Sequence, residues 1–250
     1  MGHKVHPKIH RTPAIFPWDS RWYAKKELYP EFLEQEIAIR ELLGKKLKDA
    51  GLDAISVERS PKEMVITILA AKPGAVIGRG GSGLEDIRKI IERKILKFKI
   101  KVKLNIQAVA QPALSAAIVA QACAAEIERR LPFRRVMKQA IEKTMSAGAQ
   151  GVKINMSGRL NGAEIARTEK LGSGKMSLIT VRSHVDYALA EAQTLQGKIG
   201  VKVWIYKGEV FGKYDKFEKQ AEPTHQNHSS QRPAPRAPSR PATAPARPIK

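Results

Sequence analysis

Six residues, Gly78-Arg79-Gly80-Gly81-Ser82-Gly83, restrict the fold of this chain more than any other stretch. Glycines so dense let the backbone turn left-handed and pass close to another chain, because no Cβ stands in the way. The run satisfies G-x-G-x-x-G, the fingerprint of dinucleotide-binding loops, but the pattern alone is weak and its surroundings do not fit. Such a loop follows its strand directly, whereas Pro73-Gly74 separates this run from the nearest strand-like segment, Met64–Leu69. An acidic residue is also needed about 20 positions on. Phe98 and Lys99 stand there instead. A P-loop is excluded because no Gly-Lys-Ser/Thr follows. What remains is G-x-x-G at Gly78, Arg79, Gly80 and Gly81, between an apolar turn at Gly74–Ile77 and a helix predicted over about Ser82–Leu96. That arrangement lets a sugar–phosphate chain approach the backbone. The helix N-terminus adds N–H groups and a favourable dipole, and Arg79 adds a charge-assisted contact.

The flanking periodicities agree with this reading. A first helix is predicted over about Pro30–Ala50, with Pro30 early in it, Gly51 just past its end and Phe32, Ile39, Leu43 and Leu47 along one face. Strands follow at Ala54–Arg59 and Met64–Leu69, turned at Ser60-Pro61. After the glycine loop and its helix (Leu84, Ile87, Ile91, Ile95 on one face), Ile100, Val102, Leu104 and Ile106 alternate with polar residues as in a half-buried strand. Helix, strand, strand, short helix, G-x-x-G, helix, strand is the order of a KH domain of the second type, an RNA-binding module, expected over residues 28–110.

A second unit is expected over residues 112–211. It begins with helices at Ala113–Arg130, rich in alanine, and at Phe133–Ala147. Strands are predicted at Gly151–Ser157, about Thr168–Leu171, Ser177–Arg182 and Ile199–Tyr206. The fold class is therefore α+β: the KH-like unit, then a smaller α+β domain with a mostly antiparallel sheet. Residues 1–27 read as a loop-like basic and aromatic extension, in which Trp18, Trp22 and Tyr23 either stack on bases or pack on the neighbouring domain. Residues 213–250, where Pro and Arg recur, read as a disordered basic tail.

Charge decides the class of partner. The chain carries 45 Lys and Arg against 24 Asp and Glu over 250 residues, a net +21. A polyanion is the natural neutraliser, and phosphates release condensed counterions when Lys and Arg replace them. The basic residues are spread along the chain and do not sit on one amphipathic helix, so a membrane surface is not expected. No apolar run is long enough to span a bilayer. The single cysteine, Cys123, allows no internal disulfide and no multi-cysteine zinc site. His3, His6 and His10 lack acidic or cysteine partners at ligand spacing, so no metal, no cofactor and no small-molecule substrate are expected. The acids Glu142, Glu164, Glu169, Asp186 and Glu191 form no tight pair in sequence, so catalytic residues are not assigned.

The densest basic stretch is Arg129-Arg130-Leu131-Pro132-Phe133-Arg134-Arg135-Val136-Met137-Lys138. At about 100° per residue, Arg134, Arg135 and Lys138 share one arc while Phe133, Met137, Ala140 and Ile141 take the other side. The helix can dock by one face and show three cations on the other. Here the chain resembles a known family. The segments Met1–Pro7, Pro17–Trp22, Pro73–Gly81, Phe133–Lys138, Ser157–Glu169 and Gly200–Glu209 are similar to the bacterial form of the small-subunit ribosomal protein three family, over about residues 1–211.

The resemblance implies a cytoplasmic structural protein, not an enzyme, in the head of the small ribosomal subunit. Its partners would be 16S-type ribosomal RNA, messenger RNA and neighbouring small-subunit proteins. It implies that Arg134, Arg135 and Lys138 face incoming messenger RNA and support unwinding of structured message; Arg129 and Arg130 lead into the same basic patch by their place in the chain. Lys4, His6, Trp18, Arg21, Trp22, Arg159 and Arg167 are further candidates for ribosomal RNA contact. The family commonly has two basic residues between the loop glycines, whereas this chain has Arg79 and Gly80. A free RNA chaperone and a KH-containing RNA-processing enzyme are the alternatives.

Overall fold

A computed structural model describes residues 5–97 and 100–217. In the first half, α2 (Tyr29–Lys46) starts at a proline-bearing first turn and is followed by a 3₁₀ turn at Lys48–Ala50. Gly51, at φ 66°, then turns the chain into β2 (Leu52–Arg59). β3 (Glu63–Ala70) returns antiparallel to β2. The short helix α3 (Pro73–Ile77), the glycine loop and α4 (Ser82–Ile90), extended by a wider turn at Ile91–Ile95, lead to β4 (Lys101–Ala108). β4 pairs parallel with β3. Ile39 and Leu43 of α2, Ile87 and Ile91 of the α4 segment and Met64, Ile66, Ile68 and Val102 of the sheet form one buried core. The helices cover one sheet face; Lys101, Lys103 and Asn105 of β4 are exposed, as the alternation predicts.

The second half is built from α5 (Ala116–Glu128), α6 (Phe133–Ser146) and a sheet ordered β6-β5-β8-β7. Its strands are β5 (Gly151–Gly158), β6 (Arg167–Gly174), β7 (Ser183–Thr194) and β8 (Gly197–Glu209), all paired antiparallel. Both helices pack on one face of it. Ala120, Cys123 and Ile127 of α5 and Phe133, Val136 and Met137 of α6 share a core with Ile154, Val201, Val203 and Ile205.

The strand expected at Ser177–Arg182 is not there; the strand is β7, at Ser183–Thr194. Two physical causes account for the shift. The carbonyls of Ser177, Leu178, Thr180 and Ser183 all accept from the buried Arg11 guanidinium, at 2.6–3.3 Å, so the segment wraps a side chain instead of pairing with a strand. In β7, Tyr187-Ala188-Leu189-Ala190-Glu191-Ala192 has strong helix formers. Pairing with β8 overrides that propensity, and the small Ala188, Ala190 and Ala192 let the alanine-rich α5 lie close on the sheet.

The N-terminal extension is not a free loop. It carries α1 (Pro7–Arg11), in contact with β7, and β1 (Ser20–Arg21), which pairs parallel with β2. The first residues of the expected tail are likewise fastened. Residues 213–217 are held: the Tyr214 N–H donates to Ile15 O at 2.9 Å, and Lys216 reaches Asp53 and Asp186 at 3.2 and 3.3 Å. Aromatic contact of Tyr214 with His184, 4.4 Å between centroids, offsets the ordering entropy that was expected to leave this stretch loose. The rest of the expected tail, residues 218–250, lies outside the described residues.

Candidate nucleic-acid interface

The glycine loop is held from behind and open in front. A Cβ on Gly83 would stand 2.9 Å from the Val76 carbonyl oxygen, and one on Gly78 would stand 3.0 Å from the Gly83 nitrogen, so the chain crosses itself there without room for a side chain. Gly80 and Gly81, at φ 60° and 84°, have open space where a Cβ would point. Ser82 Oγ donates to the Arg79 carbonyl at 3.0 Å and steadies the turn. Arg79 is exposed and enters no ion pair among the described residues. Gly83 is a residue the sequence reading missed. Its signal was present in the hexapeptide, but only the fold tells which glycine packs and which faces out.

The second candidate region is the elbow between α5 and α6. The Arg130 N–H donates to Ile127 O at 2.8 Å and the Leu131 N–H to Glu126 O at 3.2 Å, closing α5 with Arg130 at φ 64°. Glycine is the usual occupant of that position, so an arginine there is strained. Pro132 then caps α6. Phe133, Val136, Met137 and Ile141 are buried, and Arg134, Arg135 and Lys138 are exposed, as the helical spacing predicts. The first turn of α6 holds no acid. Two arginines in the positive end of a helix weaken that helix, and they reinforce its attraction for an anion. Arg134 lies 3.5 Å from Glu169, which also meets Arg167 at 3.9 Å. Arg129, Arg130, Arg135 and Lys138 enter no ion pair among the described residues.

The remaining sequence-predicted residues separate. Trp18 is 65% exposed and available for stacking. Trp22 is half-buried, packs on Tyr29 and Phe32 and donates its indole N–H to Glu36. Arg21 pairs with Glu58 and with Asp215. His6 caps α1, accepting from the Ile9 N–H, and its ring meets Tyr187 edge-on. Arg159 Nε donates to Ala163 O at 2.8 Å, leaving its other nitrogens without a protein partner among the described residues. Lys4 lies outside the described residues.

The buried polar groups serve the framework. Burial alone would raise the Asp186 carboxyl, but Lys216, Lys8, Lys207 and the Ala116 N–H together hold it far below the usual carboxylate range. Lys216 bridges Asp186 on β7 and Asp53 on β2, joining the two halves by charge. Those carboxylates lift its ammonium above the ordinary lysine range despite burial. Burial, with the charge of Lys207, pushes His184 down to about 4, against the opposing pull of Asp186. Burial pushes the Cys123 thiol up to about 12, so it is no nucleophile at neutral pH. Of the acids weighed for phosphoryl chemistry, Asp186, Glu169 and Glu191 are each taken up by a cation.

A G-x-x-G loop before a helix, on a basic α+β scaffold with a cationic elbow whose Arg134 alone is ion-paired among the described residues, defines an RNA-binding protein of the KH class. Residues 38–114 match the KH domain family and residues 123–205 match "Ribosomal protein S3, C-terminal domain". The small ribosomal subunit protein uS3 of Desulfitobacterium hafniense is 49% identical over 210 residues, covering 84% of this chain and 94% of that protein. The uS3 proteins of Shouchella clausii, 48% identical over 84% of this chain and 94% of theirs, and of Halalkalibacterium halodurans, 47% identical over 88% of this chain and 99% of theirs, are similar too. The chain belongs to the small ribosomal subunit protein uS3 family.

Proposed function

We propose that the elbow of this structural, rRNA-binding small-subunit protein lies along the path by which messenger RNA enters the ribosome, with the chain seated in the subunit head. Members of this family are ribosomal proteins and not enzymes, so the cations have holding work to do and no bond to break. One observation carries the reading. Arg134, Arg135 and Lys138 stand exposed on one helical face at its positive end, and Glu169, against Arg134, is the acid paired there among the described residues. Such a face tracks a phosphate chain without reading its sequence and resists re-annealing of a hairpin by gripping one strand. The glycine loop at Gly78–Gly81 and Trp18 are proposed as contacts to ribosomal RNA, Arg79 supplying one cation.

The test replaces Arg134, Arg135 and Lys138 together by Ala in a reconstituted translation system. Stability should move by less than about 0.5 kcal/mol per site in urea denaturation. The slope of log affinity for single-stranded RNA against log salt should flatten by about 2. Elongation through a message hairpin should slow while an unstructured message is read at the normal rate. Equal rates on both messages would remove the entrance role and leave ribosomal RNA binding standing.

A further inference from the structure

Beside the elbow, α5, the 3₁₀ turn Leu160–Gly162 and the β7–β8 turn enclose an open groove of about 840 Å³. Its size is within the ~300–1,000 Å³ of small-ligand sites. Two cations, Arg130 and Arg159, line it, and so do Asn161, Gln193 and Gln196, whose side-chain amides have no hydrogen-bond partner among the described residues. Leu195, 90% exposed, supplies an apolar surface at the rim. Glu128 is the acid that lines it, and its carboxylate already accepts from the Gln193 N–H at 3.0 Å.

Backbone strain points to the same place. Lys97, Arg130 and Asn161 are the non-glycine residues at positive φ among the described residues, and two of the three line this groove. Strained positions persist where the surroundings enforce them and gather at binding sites. Arg130 and Asn161, both polar, stand there where glycine would have been conformationally easier. Gly162 completes the arrangement: a Cβ on it would stand 2.3 Å from the Gln196 amide, so the amide rests directly on the bare backbone.

We infer that this groove binds one unpaired nucleotide of RNA, its phosphate between Arg130 and Arg159 and its base edge against the amides of Asn161 and Gln196. Guanidinium groups suit phosphate oxygens. Amides present donor and acceptor together, which suits a base edge exposed only in single strands. The inference rests on the elbow being an RNA-binding surface and adds to it a preference for unpaired over paired RNA.

The experiment measures binding of the full chain to a short single-stranded RNA and to the duplex of the same sequence, across a salt series. Gln196→Ala and Asn161→Gly remove no charge, and the second relieves strain, so folding should hold, as thermal melting will check. Each should weaken single-strand binding about 3- to 10-fold, with duplex affinity and salt slope unchanged. Unchanged single-strand binding in both variants, while the Arg134, Arg135 and Lys138 triple variant loses affinity, overturns the groove and leaves the elbow. No loss in the triple variant removes the elbow, and the groove with it. Equal weakening for single strand and duplex also overturns the groove, since the amides would then not be reading an unpaired base.

Discussion

The glycine loop and the α5–α6 elbow offer a phosphate chain opposite chemistry. The loop offers bare backbone, the start of a helix and one guanidinium, and its shape depends on Gly78 and Gly83 crossing where no side chain fits. The elbow offers side chains: five cations on a turn and a helix face whose apolar half is locked into the core. Geometry governs the first and charge the second. A substitution in the loop should therefore act at every salt concentration, whereas one in the elbow should fade as salt rises.

The largest expected effect tests whether the two regions depend on one framework. Lys216→Ala leaves Asp53 and Asp186 buried without their shared cation. It should cost about 3–5 kcal/mol in denaturant unfolding, and RNA binding at loop and elbow should fall together as the two halves part.

Acid attacks the same framework. His184 is buried and held at about 4 when folded, against about 6.5 unfolded. The unfolded chain thus binds the extra proton first as pH falls. The contribution is intact above about pH 6.5 and is lost progressively down to about pH 4, on the order of 3 kcal/mol. Asp186, also depressed, extends the loss to lower pH. A stability–pH curve flat between pH 7 and 4 would contradict this, and His184→Phe should flatten the upper part of the limb.

The next effect separates the regions. Gly83→Val forces a branched side chain against the Val76 and Ile77 carbonyls. It should cost about 1–3 kcal/mol and weaken RNA binding with no change in salt slope. The smallest effect runs the other way: Arg130→Gly should stabilise the chain by about 1 kcal/mol while flattening the single-strand salt slope by about 0.7. A variant that is more stable and binds less tightly would show strain kept for the sake of contact.

The sequence disclosed these two regions better than the parts that surround them. The order of elements around G-x-x-G and the split of α6 into apolar and cationic faces are local patterns, and both are present in the structure. β7 was hidden because its alanines signal helix, and only packing under α5 makes them a strand. The carbonyl cage around Arg11 was hidden because its partners are up to 172 positions away. Trp18 and Trp22 carry the same side chain four residues apart; Glu36 on α2 decides that one is anchored and leaves the other exposed. The groove escaped notice because Asn161, Gln193 and Gln196 belong to no motif and meet only through the β7–β8 turn.

The fastening of the leading segment sets an order of events during synthesis. Arg11 needs carbonyls from Ser177 to Ser183, and Ile15 needs the amide of Tyr214. The segment from Pro7 to Ile15 therefore cannot take up its final fastening until nearly all of the described chain has left the exit tunnel. That segment must wait through translation, while residues 20–22 and the KH sheet can close around their own nearby partners.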